Sequence, residues 1–324
     1  MSYYEPLTYI VSQHDDGVEL KTILRERMKL SRKLLSRLKQ TDEGITVNGE
    51  RRYTSVRVRA GDTVEIRMEE EQSEDILPQP LPLEIVHEDD QLMIVNKAAG
   101  MIVHPTHGHY TNTVANAIVY HWLEQGQKIR FRPVHRLDQE TSGVLCIAKN
   151  PYVHQHISEQ MKANTVEKTY LAIVRGAVEQ DAGTVDAPID RDPESPHVRI
   201  VTPQGYRAVT HYETVERFGA MATLVRLRLE TGRTHQIRVH MNHIGHPLLG
   251  DIMYGVEGRD EGQRVVIHAA GSGAEAVVSL DRHALHAARL AFTHPTVRGL
   301  AVFEAPLPAD LAGAVELLRR ASLV

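Results

Sequence analysis

The chain has a single cysteine among its 324 residues, Cys146, and it sits in the middle of the apolar run 144–148. No disulfide can form within the chain, the usage expected in a reducing cytoplasm. No uninterrupted apolar stretch approaches the roughly 20 residues that a membrane helix needs. The N-terminus MSYYEPLTYIVSQHDD lacks the basic-then-apolar order of a secretory signal. A G-x-G-x-x-G in strand–helix context and a P-loop are both missing, so nucleotide cofactors are not indicated. There is no fixed-period repeat. Apolar residues still make up 42% of the chain, enough for real cores, and the length suggests two domains. The expectation is a soluble cytoplasmic protein.

A net charge of −5 argues against a nucleic-acid binder until it is divided. Residues 21–60 hold twelve Lys and Arg against four acids, a net of +8, leaving −13 for the rest. A basic module on an acidic body is the footprint of phosphate contact, because Lys and Arg replace condensed counterions. Within it Leu20, Ile23, Leu24 and Met28 follow helical spacing. Ser31 is placed to cap a second helix whose apolar stripe is Leu34, Leu35 and Leu38. Arg32, Lys33 and Arg37 fall off that stripe and face outward as candidate phosphate contacts. Asn48-Gly49 is a hairpin turn, and Val56, Val58, Val64 and Ile66 alternate around a turn at 60–62. The module is placed at 16–68. An acidic run and Pro78, Pro80 and Pro82 then mark 69–83 as an extended linker that neither packs nor forms a helix.

The remaining body, 84–324, mixes short apolar runs with helical patterns. Strands are expected at 92–95, 144–148, 168–174 and 222–229, and helices at 112–122 and 309–321. The order does not repeat as strand–helix units. That favours an α+β fold, a small α/β module followed by a mixed, mainly antiparallel sheet flanked by helices, over a doubly wound one.

The nonapeptide His135-Arg136-Leu137-Asp138-Gln139-Glu140-Thr141-Ser142-Gly143 carries the most information. It sets one carboxylate, Asp138, in a polar turn directly before an apolar run. Such a group can be a nucleophile or electrostatic partner at a sugar carbon. It can equally be a turn residue capping the next element. The string resembles the signature of the RluA/RluD family of RNA pseudouridine synthases. Three further segments agree: 168–176 around Tyr170, 231–238 ending in Arg238, and Leu285-His286-Ala287 with Leu290, Phe292 and His294-Pro295. Together they span about 85–305. The module at 16–68 is similar to an S4 RNA-binding domain, a fold that meets structured RNA largely by shape and phosphate contact.

The resemblance implies isomerisation of uridine in structured RNA, ribosomal rather than transfer RNA, by a monomer with no metal or organic cofactor. It implies that Asp138 attacks C1′, or stabilises an electron-poor sugar and takes its proton. It further implies that Arg238 pairs with Asp138 and keeps it ionised. Tyr170 would stack on the base and help remove the C5 proton. Arg136, beside His135, would fill the gap left by a flipped uridine and hold its phosphate. Leu290 would belong to a hydrophobic wall near the site.

Two other classes compete. A glycosidic hydrolase would need a second acid, for which Glu140 is the candidate. A non-catalytic RNA-binding protein would have no use for Asp138. A metal enzyme is a third thought, from His104, His107 and His109 and from His240, His243 and His246. Steps of three drift around a helix and no cysteine accompanies either set, so these histidines are read as surface groups or RNA contacts.

Overall fold

The computed structural model describes residues 2–255, 264–268 and 275–323. Its N-terminal module is a four-stranded antiparallel sheet of β1 (Leu7–Ile10), β2 (Ile45–Val47), β3 (Glu50–Arg51) and β4 (Thr63–Ile66), in the order β1-β4-β2-β3. Asn48 and Gly49, with φ of 54° and 80°, close the β2–β3 hairpin, as a two-residue turn of this hand requires. Helix α1 (Leu20–Thr22) runs into a π-helical turn at Ile23–Arg27, and α2 (Arg32–Leu38) follows. The Ser31 hydroxyl accepts from the Leu34 amide, capping α2.

Val56 and Val58 do not form the expected strand. The carbonyls of Thr54 and Val56 accept instead from Lys21 and Leu20, and that of Val58 accepts from Gly17. The segment thus satisfies amides that the start of α1 leaves unpaired.

The body is built from β5 (Ile85–Glu88), β6 (Leu92–Lys97), α3 (Val114–Glu124), β7 (Ser142–Ala148), α4 (Pro151–Lys162) and β8 (Glu167–Arg175). Next come β9 (Ala182–Asp186), β10 (Ile189–Arg191), β11 (Arg199–Val201), β12 (Val209–Phe218), β13 (Ala222–Leu229) and α5 (Gln236–His243). The chain ends with β14 (Arg264–His268), β15 (Glu275–Ser279), β16 (Leu285–Thr293), β17 (Leu300–Glu304) and α6 (Ala309–Ser322). Nine strands form one sheet in the order β5-β6-β7-β16-β8-β13-β12-β9, with β17 also on β16. Within it β7 and β16 run parallel and the other pairs antiparallel. The architecture is α+β. Helix α3 starts later than expected because Thr113 and Asn116 form a reciprocal capping box. No helix among the described residues is long and apolar enough to cross a membrane.

The sheet is buried on both sides. One face, with Met93, Val95, Leu145, Ile147 and Ala172, packs on Ile118 and Trp122 of α3 and Ile237 and Met241 of α5. The other, with Leu92, Ile94, Val144, Cys146 and Phe292, shares a continuous core with Leu24, Leu34, Val64 and Ile66 of the module.

Segment 69–83 therefore is not a free tether. The Ser73 hydroxyl is buried and accepts from the Phe131 amide, and Ile76 enters the core under α3. The Glu71 carboxylate bridges Arg37 of the module and Arg132 of the body. From α4, the Gln155 amide accepts from the Ser31 N–H and donates to the Lys29 carbonyl. Acids and prolines in sequence suggest solvation; here carboxylate and apolar side chains find partners on two flanks.

Deletion of residues 1–75 should accordingly uncover Leu92, Ile94, Val144 and Phe292. The truncated body should lose about 5 °C or more of thermal midpoint and gain binding of a hydrophobic dye. An unchanged midpoint in a calorimetric scan would show that the shared core is dispensable.

Candidate active site

The nonapeptide leads into the centre of the sheet. The Val134 amide donates to Cys146 and the Ala148 amide to Arg132, so the chain before the motif lies along β7. It then loops through Asp138 and enters β7 at Ser142. Gly143 has a φ of 116°, and a Cβ there would stand 2.2 Å from the Ala287 carbonyl oxygen of β16. The glycine is required by that close approach.

The two side chains just before Gly143 are also held from distant parts of the chain. Thr141 Oγ1 meets His283 Nε2 at 2.8 Å, and Ser142 Oγ meets His286 Nδ1 at 2.9 Å. The Arg282 guanidinium donates to the Glu140 carbonyl at 3.0 Å and to Ser142 Oγ at 3.2 Å. Lys97, buried, donates to the carbonyls of Ala98, Met101 and Gln139 at 2.7–2.8 Å. Burial pulls its ammonium down to about 7, and the three acceptors use the three protons it carries when charged. Burial likewise takes His283 down to about 3, keeping it neutral beside Arg282 and Arg238.

These contacts fix where Asp138 points. Its carboxylate is 30% exposed at the mouth of a cavity of about 90 Å³, which opens into a groove of about 800 Å³. Arg238, on α5, reaches it with Nη1 3.7 Å from Oδ2. The tighter partner of Arg238 is Asp251, which takes Nε at 2.7 Å and Nη2 at 2.8 Å in a buried fork. Burial works against both charges, yet the pair holds Asp251 below the ordinary carboxylate range and Arg238 above its own. Tyr254 lies under the guanidinium, 5.0 Å from ring centre to Cζ. Its hydroxyl shares a 2.9 Å hydrogen bond with His235 Nδ1, and His235 takes a left-handed backbone (φ 57°) just before α5.

Tyr170, on β8, walls the same cavity and is 8% exposed. Burial and then the nearby Asp138 charge raise its phenol. Arg136 is exposed at the rim of both cavity and groove. The structure thus brings Asp138, Tyr170, Arg238 and Arg136 together from three separate stretches.

Three other residues sit differently from the expectation. His135 spends Nε2 accepting from the Cys146 amide, so it anchors β7. Leu290 lies past a bulge in β16, in the core shared with the module; the apolar wall at the cavity is Leu285. Five residues of strand, about 16 Å, separate the two. Arg37 faces outward like Arg32 and Lys33, 46% exposed, but its guanidinium is paired with Glu71.

Of the two histidine groups, His240 and His246 serve the fold, while His107, His109 and His243 are exposed as surface groups. His240 is buried, donating from Nε2 to the Ala187 carbonyl and accepting the Thr210 hydroxyl at Nδ1. His246 meets the Arg175 carbonyl, and His107 meets the Tyr110 hydroxyl. Among the described residues no group of three or more His, Cys, Asp or Glu is placed to hold a metal ion.

This arrangement has relatives. The RNA pseudouridylate synthase family model matches residues 91–243. The RNA pseudouridine synthase YlyB of Bacillus subtilis is 40% identical over 282 residues, covering 86% of this chain and 87% of the relative. The chain belongs to the RNA pseudouridine synthase family. The ribosomal large subunit pseudouridine synthase D of Nitrosomonas europaea is 43% identical over 265 residues, 82% of this chain and 72% of the relative. Among solved structures, human RNA pseudouridylate synthase domain containing 4 aligns with a TM-score of 0.57 at 25% identity. It covers 73% of this chain and 93% of that one.

For this synthase, sequence reasoning missed Asp251, Lys97, Arg282 and His283. No local period marks them, and their burial appears only in the folded structure.

Replacing Asp251 by Ala leaves Arg238 buried without its fork. Unfolding free energy in urea should drop by about 3–5 kcal/mol. A drop no larger than that of Asp138→Ala would mean that Arg238 does not rely on Asp251.

His135 yields a second test. Burial, helped by the Lys168 ammonium, brings it from 6.5 to about 4, so the fold keeps it neutral while the unfolded chain protonates in between. Stability should therefore fall as pH drops from about 6.5 toward 4. His135→Gln, whose amide oxygen can still accept from Cys146, should narrow the difference between urea midpoints at pH 7 and pH 5. The same difference in both proteins would exclude His135 as its source.

Proposed function

We propose that this synthase converts uridine to pseudouridine in large-subunit ribosomal RNA, with Asp138 as the group that acts at C1′. One observation carries the reading. Asp138 is the one carboxylate lining the inner cavity among the described residues, and it faces a guanidinium whose position is set by a second, buried carboxylate. The target class is supported by the curated relatives that bear the name ribosomal large subunit pseudouridine synthase D.

In the reaction the C1′–N1 bond breaks, the uracil turns while bound, and C5 bonds to C1′. The proton on C5 leaves and N1 is protonated, so the product is an isomer and no water is consumed. Arg238 sets a fixed cation 3.7 Å from the Asp138 carboxylate, beside the place C1′ would take. Tyr170 offers a buried ring face against which the base can lie. Its raised phenol stays protonated at neutral pH, which argues against phenolate as the base and leaves Asp138 as the anionic acceptor in the cavity. Arg136 at the rim is suited to the phosphate of a flipped nucleotide. Cys146, buried and unpaired, fits a reducing cytoplasm.

The hydrolase reading fares worse. It needs a second acid across the scissile bond, and the Glu140 side chain lines neither the cavity nor the groove.

The experiment uses structured ribosomal RNA labelled with tritium at uracil C5. The wild type should release tritium to water and leave neither free uracil nor abasic sites. Asp138→Asn should lower that release by at least about 10³-fold while RNA affinity stays within about twofold, since the substitution keeps shape and removes charge. Stoichiometric free uracil, or near-normal release by the Asn variant, would overturn the assignment.

A further inference from the structure

The module carries an aromatic residue that the fold does not use. Tyr53, just past β3, is 86% exposed. Single exposed apolar residues need no explanation, but this one borders a cavity of about 580 Å³ whose floor includes the buried Leu38 and Ile45. Its rim carries Lys39, Arg51 and Arg52. Lys39 is exposed and makes no side-chain hydrogen bond or ion pair. Arg51 and Arg52 form ion pairs with Asp42 and Glu50, whose side chains are 95% and 69% exposed, and Arg51 also donates to the Lys39 carbonyl at 3.2 Å. Exposed pairs of this kind are weak, and a phosphate that takes an arginine bidentately can displace the carboxylate.

A solvent-facing ring, an apolar floor and three cations on one rim are what a nucleotide requires: a surface for the π-face of the base and donors for its phosphates. The occupant has to be unpaired, because a base stacked in a duplex offers no free face. From this we infer that Tyr53, Lys39, Arg51 and Arg52 form a second RNA site that holds an unpaired nucleotide of the substrate by stacking. The inference rests on the reading that the substrate is RNA.

The site also selects. Gln155 and Glu71 tie the module to the body through the Lys29–Ser31 segment and Arg37, and the core is shared. The Tyr53 site therefore stands at a set distance from Asp138. An RNA that presents an unpaired base at that distance from its target uridine gains a contact that others lack. Arg37, exposed but paired with Glu71, does not line this cavity, which lies between the 51–55 segment and the end of α2.

The full chain supplies the test, with single-stranded oligouridine and an RNA duplex of equal length as probes. Tyr53→Ala should weaken oligouridine binding about tenfold, and Tyr53→Phe should retain it, because stacking needs the ring and not the hydroxyl. Tyr53→Trp adds an exposed indole to a protein whose only tryptophan, Trp122, is buried. Its emission should be quenched by oligouridine and not by the duplex. All three variants should keep the wild-type maximal rate of tritium release on saturating stem-loop RNA, since Tyr53 lines neither the cavity nor the groove at Asp138. Oligouridine affinity within twofold of wild type for Tyr53→Ala, or indole emission indifferent to oligouridine, would sink the proposal while leaving the activity in place. Failure of the unaltered chain to release tritium would instead overturn the reading of its function.

Discussion

The buried fork between Arg238 and Asp251 is the constraint on which the site depends. A guanidinium in this environment loses most of its hydration, and an isolated one would be costly. Two short hydrogen bonds to Asp251 make its presence tolerable, and the Tyr254 ring below it completes the surround. The result is a cation with fixed position and one remaining nitrogen directed at Asp138. A surface arginine could pair with Asp138 too, but it would be free to leave for solvent. The geometry separates two duties: Asp251 holds the charge in place, and Asp138, partly exposed, is available to substrate.

Around that pair the rest of the body acts as a frame. Asp138 precedes β7, Tyr170 lies on β8 and Leu285 opens β16, three neighbouring strands at the middle of the sheet. The parallel pairing of β7 with β16 forces the backbone contact at Gly143, and the same pairing brings His283, His286 and Arg282 against the motif. Lys97 closes the other side by gathering three carbonyls. Most of these groups never meet the cavity. They restrict the loop that carries the one carboxylate that does, which is how rigid elements preorganise a site.

The basic module is part of that frame and not an appendage. Its leucines share a core with the face of the sheet opposite the site, and Glu71 and Gln155 tie it at two further points. RNA held by the module is therefore presented to the body in a restricted orientation, a matter of geometry as well as affinity.

Much was legible in the sequence because it is written locally. The +8 segment, the Ser31 cap, the Asn48-Gly49 turn and the strand at 222–229 follow from charge count, capping chemistry, turn stereochemistry and short-range periodicity. Asp138, Tyr170 and Arg238 could be named together only through resemblance, since nothing in their spacing says that they meet. What tertiary structure alone decided is which partner each charge takes. Asp251 claims Arg238 more closely than Asp138 does, Glu71 pairs with Arg37, His135 is occupied by the Cys146 amide, and Leu290 is carried away from the cavity. Pattern reports which face of an element is buried; it does not report what waits on the other side. Partner choice is settled by distances between segments far apart in the chain, and those distances exist only once the sheet has closed around them.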